Sequence, residues 1–172
     1  MIYYVEGDIL KTRAAALAHG VAPNDDCKSG LALALREQWP AMYGDLRHYY
    51  HAYHPKPGTL WIWSGVGGVR IVSLFTQEPA PDNSHGHPGK AHLEYVNHAL
   101  RELAKLVETE KLTSLALPRL ATGVGRLEWS EVKGLIARQL SGLNIPVYVY
   151  EEYKPGVAAL EPGIQPKDSE VG

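Results

Sequence analysis

The stretch LALPRLATGVGRLEW, from Leu115 to Trp129, constrains this chain more than any other. Residues 114–117 are a short apolar run that predicts a strand, and residues 121–125 form a glycine-bearing turn. Behind them Val132, Leu135, Ile136, Leu140 and Leu143 recur at spacings of three and four, which predicts a helix with one apolar face. Glycine lets the backbone adopt positive φ and approach a ligand closely, and the first turn of a helix carries N–H groups with no intrahelical partner. Strand, glycine turn and helix in that order make either an anion cradle or an ordinary connection. TGVG matches neither GxGxxG nor GxxxxGKS/T, so both readings stay open at this point.

The remainder of the chain alternates in the same manner. Residues 2–5, rich in β-branched and aromatic side chains, predict a strand ending at Gly7-Asp8, and residues 15–21 a second, buried one. Pro23, Asn24, Asp25, Asp26, Lys28 and Ser29 mark a loop. Residues 31–52 read as helical, with Pro40 breaking the segment in two. Residues 59–64 and 69–76 flank Gly65-Val-Gly-Gly68 as a hairpin. After a polar loop over 77–89, Leu93, Val96, Leu100, Leu103 and Val107 line one face of a helix over 91–110. A last strand covers 145–150. This order predicts an α/β fold of three layers, helices on both faces of a mixed, mostly parallel sheet. A domain over 1–152 and a C-terminal tail over 153–172 are expected. In such sheets ligands bind outside the carboxyl ends of the strands, where Asp8 and the loops 22–30, 77–89 and 121–126 would converge.

Composition narrows the functional classes. The 172 residues suit one domain, and a formal net charge of -2 leaves no broad footprint for DNA or RNA. Cys27 is the only cysteine, so no internal disulfide forms; a reducing cytoplasm, with no membrane partner, is the expected setting. The N-terminus MIYYVEGDIL lacks a signal-peptide pattern. The chain is expected to be a monomer without cofactor.

Several residues invite a chemical reading. Asp8 is either a turn cap or a carboxylate that accepts from an exocyclic amine such as adenine N6. The loop Asn24 to Gly30 either lies near a sugar or caps the next helix. Cys27 has no His or carboxylate fixed beside it by spacing, which argues against a catalytic thiol. His85, His87 and His92 lack the spacing of a closed zinc site, so no metal is expected. Tyr148 and Tyr150 share one sheet face, for packing or for stacking on a base.

Together these segments resemble the macrodomain family of ADP-ribose-binding α/β/α folds. Within it they resemble the branch holding the terminal ADP-ribose protein glycohydrolase and the antitoxins that remove ADP-ribose from DNA. The resemblance covers residues 2–150. It rests on PRLATGVGRLEW, together with Gly7-Asp8, Ala18-His19-Gly20, Asp26-Cys-Lys-Ser-Gly30 and Val147-Tyr-Val-Tyr150 in the same order. It implies that Asp8 holds the adenine amine with Ile9 beside it, and that Tyr150 lies near the base. It further implies that Ala121, Thr122, Gly123, Val124, Gly125 and Arg126 wrap the diphosphate. Gly20, Val21, Asn24, Lys28, Ser29 and Gly30 would border the distal ribose.

Two positions depart from that branch. Its attacking lysine is matched by Gln77, and its glycine-loop acid by Gly125. A glutamine amide forms no Schiff base and a glycine moves no proton, so the covalent route is not expected. The resemblance then implies a hydrolase that frees ADP-ribose from protein carboxylates by direct water attack. Asn24, Asp25 and Asp26 would help, with His85, His87 and Lys90 in reserve. A reader module that cuts nothing, and an ADP-ribose 1″-phosphate phosphatase, remain the alternatives.

Overall fold

The computed structural model of the chain describes residues 1–81, 89–123 and 125–164. Its strands are β1 (Ile2–Gly7), β2 (Ala16–Val21), β3 (Leu60–Ser64), β4 (Arg70–Phe75), β5 (Leu115–Leu117) and β6 (Val147–Tyr153). They form one sheet in the order β1-β6-β5-β2-β4-β3. Every neighbouring pair is parallel except β3 with β4, the hairpin closed by Gly65 donating to the Val69 carbonyl.

Helices cover both faces. On one, α1 (Gly30–Gln38) and α2 (Pro40–Tyr53) bring Leu35, Met42, Leu46 and Tyr50 onto Leu17, Ile71, Phe75, Ala116 and Tyr148. On the other, α3 (Leu93–Thr109) and α4 (Trp129–Leu140) bring Val96, Leu100, Leu103, Val132, Ile136 and Leu140 onto Ala18, Val72, Leu74, Leu115, Leu117 and Val149. Successive strand residues point to opposite faces, and because both faces are covered the strands read as unbroken apolar runs. Pro40 opens α2 at its first position, where its missing N–H leaves no bond unmade. Among the described residues no helix is long and apolar enough to cross a membrane.

The structure departs most from the sequence reading where α4 and β6 end. Helix α4 stops at Leu140, so Leu143 packs against the core from the turn that follows. Strand β6 runs to Tyr153, because Glu152 and Tyr153 find partners in Glu6 and Gly7 of β1. The domain boundary expected after residue 152 therefore falls inside a strand. Beyond it, residues 154–164 fold back on β1: Lys154 donates its N–H to the Gly7 carbonyl (3.0 Å), and Asp8 donates to that of Val157 (2.7 Å).

Gly7 permits this return. A β-carbon there would lie 2.8 Å from both the Ala159 nitrogen and the Val157 carbonyl oxygen. Gly7→Ala is predicted to cost about 1–3 kcal/mol by overpacking two backbones. The loss reads as a lower urea midpoint, whereas an unchanged midpoint would show that the 157–159 segment yields freely.

Candidate functional site

The carboxyl ends of β1, β2, β5 and β6, with the residues just past β4, surround a cavity of about 660 Å³. That volume lies within the range of small-molecule sites. Three groups of residues build it.

Backbone dominates the middle. Ser29, Gly30, Leu31 and Ala32 open the N-terminus of α1 onto the cavity. Gly30 has φ of 57°, a conformation that suits glycine, and Ser29 makes no side-chain bond to cap the helix. The N–H groups of this first turn have no intrahelical partner, and the helix dipole favours an anion beside them. Ala121, Thr122, Gly123 and Gly125 line the same cavity. This loop is closed by Leu127 donating to the Ala121 carbonyl (2.9 Å), Arg126 to that of Gly123 (3.2 Å), and the Thr122 hydroxyl to that of Arg119 (2.9 Å).

The sequence pattern left the helix after this loop open as an anion-binding terminus or an ordinary connection. Closing the loop consumes the residues up to Glu128, α4 starts only at Trp129, and its first turn does not line the cavity. The exposed terminus is that of α1. Nor do the loop glycines supply the left-handed backbone: Ala121 (φ 59°) and Arg126 (φ 62°) do. Gly125 serves close packing instead, since a β-carbon there would sit 2.6 Å from the Ala121 carbonyl and 2.8 Å from the Ala91 Cβ. At Gly123 a β-carbon would meet nothing within 4 Å.

The β1/β6 end holds Asp8, Ile9 and Tyr150. Asp8 is buried, and its carboxylate accepts from the N–H groups of Leu10 (3.0 Å) and Gly156 (2.9 Å). It thus caps the 3-10 turn Ile9–Lys11 while lining the cavity. The Tyr150 hydroxyl donates to Glu161 (2.9 Å), and burial, then the Glu161 charge, pushes its ionisation far up. Glu151 and Tyr153 also line this end, and sequence reasoning missed both. A register shift between Val5 and Glu6 breaks the two-residue alternation of β6, so the faces beyond Tyr150 were not readable from Tyr148 and Tyr150.

The β2/β4 end holds His19, Gly20, Asp25 and Gln77. His19 is buried with its Nε2 3.3 Å from the Ser73 hydroxyl, and desolvation pushes its pKa down to about 4. Burial pushes the Asp25 carboxyl up, opposed by the bonds it accepts from Cys27 (2.8 Å) and Ala22 (3.4 Å) N–H groups. Gln77 donates its amide to the Gly89 carbonyl (3.0 Å).

The other sequence candidates stand outside the cavity lining. Asn24 spends both ends of its amide on the Ala80 backbone, at 2.9 and 2.7 Å, tying loop 22–27 to the residues after β4. Asp26 faces Lys28 at 3.7 Å on the surface. Val21 is packed in the core, and Arg126 is exposed. Val124, His85 and His87 lie outside the described residues. His92 sits 3.5 Å from Glu78, and Lys90 is exposed. The Cys27 thiol is buried, and its pKa is pushed up to about 12 by burial and then by Asp25, a poor setting for a nucleophile. Among the described lining residues Arg119 is the one Lys or Arg, its guanidinium 5.3 Å over the Trp129 ring.

Six strands in this order between two helical layers, with the cavity at the strand ends, define the class: the chain has the macrodomain fold. The macrodomain of Thermus aquaticus DarG matches it with a TM-score of 0.77 and 26% identity, over 88% of this chain and 98% of that one. In sequence the chain is similar to the DNA ADP-ribosyl glycohydrolase of Thermus aquaticus, 28% identical over 155 residues. It is also similar to the human ADP-ribose glycohydrolase OARD1, 25% identical over 150 residues. These alignments span 88% and 87% of this chain, but 41% of the Thermus relative and 90% of the human one. The chain thus spans about two fifths of the length of the first of these relatives. Thermosipho africanus DarTG, solved in complex with ADP-ribose, shares the fold at a TM-score of 0.77 and 24% identity, over 90% of this chain and 42% of that one. No family model matches the chain. In fold and in sequence the chain is similar to macrodomains of the ADP-ribosyl glycohydrolase branch.

Neutral His19 carries a consequence for stability. Its folded pKa lies below the unfolded value, so as pH falls from about 6.5 to about 4 the unfolded chain takes up a proton that the folded one refuses. Unfolding free energy should drop by roughly 3 kcal/mol over that window, relative to His19→Gln. Parallel pH profiles for the two proteins in urea unfolding would contradict it.

Proposed function

We propose that the cavity binds ADP-ribose and that the protein hydrolyses ADP-ribose from modified protein carboxylates without a covalent enzyme intermediate. The observation that carries the binding is the pair of backbone segments, Gly30–Ala32 and Ala121–Gly123 with Gly125, that line one cavity at the strand ends. Oriented amides hold a doubly charged diphosphate without a basic patch, which suits a chain of net charge -2. The base then lies toward Asp8, Ile9 and Tyr150, and the distal ribose toward Gly20 and Asp25. The ADP-ribose in the Thermosipho relative supports the ligand class.

For the chemistry, Asp25 is the one of the three expected helpers Asn24, Asp25 and Asp26 that lines the cavity. Ionised, it accepts a proton from water as the water oxygen attacks ribose C1″. The C1″–O bond breaks, and the side-chain carboxylate leaves with both electrons. Gln77 and Gly125 offer neither nucleophile nor acid, and Gly125 has no room for a side chain. That same observation favours the second reading, a module that binds ADP-ribose and cuts nothing.

Incubation with a glutamate-linked mono-ADP-ribosyl peptide separates the two. Release of free ADP-ribose above the spontaneous rate, lost in Asp25→Asn and falling with pH below a point raised above the usual carboxylate range, supports the hydrolase. Measurable affinity without release leaves the reader.

Binding has its own tests by calorimetry. Asp8→Ala should weaken ADP-ribose by about 1–3 kcal/mol through an unpaired buried donor, and undiminished affinity would remove Asp8 from the base site. Gly123→Val should fold normally, because nothing stands within 4 Å of its β-carbon, yet lose affinity by roughly tenfold or more as the side chain enters the diphosphate's space. Normal binding by that variant places the anion elsewhere.

A further inference from the structure

Residues 154–164 do more than trail from the last strand. Gly156 donates to the Asp8 carboxylate (2.9 Å), and Val157 accepts the Asp8 N–H (2.7 Å), so both polar ends of Asp8 are held by this segment. Further along, one carboxylate gathers three donors. Glu161 accepts from the Thr12 hydroxyl (2.5 Å), the Arg13 N–H (2.8 Å) and the Tyr150 hydroxyl (2.9 Å). The Tyr148 hydroxyl donates to the Pro162 carbonyl next to it. Thr12 ends the short turn that Asp8 begins, and Asp8 and Tyr150 both line the cavity. Glu161 itself does not line it. It therefore reaches the site only through the residues it holds.

We infer that residues 154–164 belong to the nucleotide site, and that Glu161 is a positioning residue that fixes Tyr150 and the turn after Asp8 for recognition of a 6-aminopurine. The inference rests on the ADP-ribose reading above. Its physical content is geometric. A carboxylate with three donors is a charge-assisted hub, and a glutamine in its place keeps the shape but turns an NH₂ toward one or more of those donors. Tyr150 and Thr12 then lose their common anchor, and with Thr12 loosens the turn whose start carries the Asp8 carboxylate. A 6-oxo base presents an acceptor where adenine presents a donor, so it gains little from that carboxylate and loses little with it.

The test compares ADP-ribose with its hypoxanthine counterpart, titrated into the full chain and into Glu161→Gln, with melting temperatures recorded beside them. The wild-type chain should prefer the adenine form. In Glu161→Gln the affinity for ADP-ribose should fall roughly tenfold and that for the hypoxanthine form less than about twofold, so that the preference collapses. A variant that melts earlier but keeps the full preference has lost a structural brace only, and the inference is overturned. If Glu161→Gln does not fold, Thr12→Val removes one donor from the same carboxylate and is judged by the same ratio. A wild-type chain that binds both forms equally also overturns the inference, while one that binds neither refutes the ADP-ribose reading instead.

Discussion

Strands that run the same way all end on one edge of their sheet, and each must be carried back to the opposite edge before the next can begin. In this chain β1, β6, β5, β2 and β4 share a direction, so the segments that leave them meet at one crevice. Parallel pairing is thus the constraint on which the site depends. It brings Asp8, His19, Gln77, Ala121 and Tyr150, far apart in sequence, onto one cavity. The two helical layers that parallel pairing requires then supply the helix terminus that the middle of the crevice uses.

Much of this was legible in the residues. Periodicity gave α3 and α4, Pro40 divided α1 from α2, and Gly65 to Gly68 marked the one antiparallel hairpin. What escaped depended on contacts distant in sequence. Tyr153 reads as tail until β1 offers Gly7 as its partner, and the shift at Val5 then puts Glu151 and Tyr153 in the cavity wall. Asn24 reads as a polar loop residue, near a sugar or before a helix cap. Only the fold shows that Ala80 takes both ends of its amide. Which helix start opens onto the cavity was illegible for a similar reason: sequence shows where glycines fall, not how many residues a loop spends on closing itself.

Gly125 and Gln77 matter in concert. One is packed too closely against Ala121 and Ala91 to accept a side chain, and the other gives its amide to Gly89. The β2/β4 end of the crevice is left with Asp25, held by two backbone donors, and with a desolvated, neutral His19. Whatever chemistry occurs there relies on position and on oriented dipoles rather than on a strong nucleophile. The opposite end is built with more redundancy, because residues 154–164 brace it from outside.

The central claim is that an anionic nucleotide linker lies between the start of α1 and the loop after β5. Backbone amide resonances measured during an ADP-ribose titration test it most directly. The account predicts saturable shifts largest at Gly30, Leu31, Ala32, Thr122, Gly123 and Gly125, with Gly67 and Gly68 in the distant hairpin unmoved. Saturation that leaves those six amides in place, or shifts centred on another face of the sheet, would contradict it.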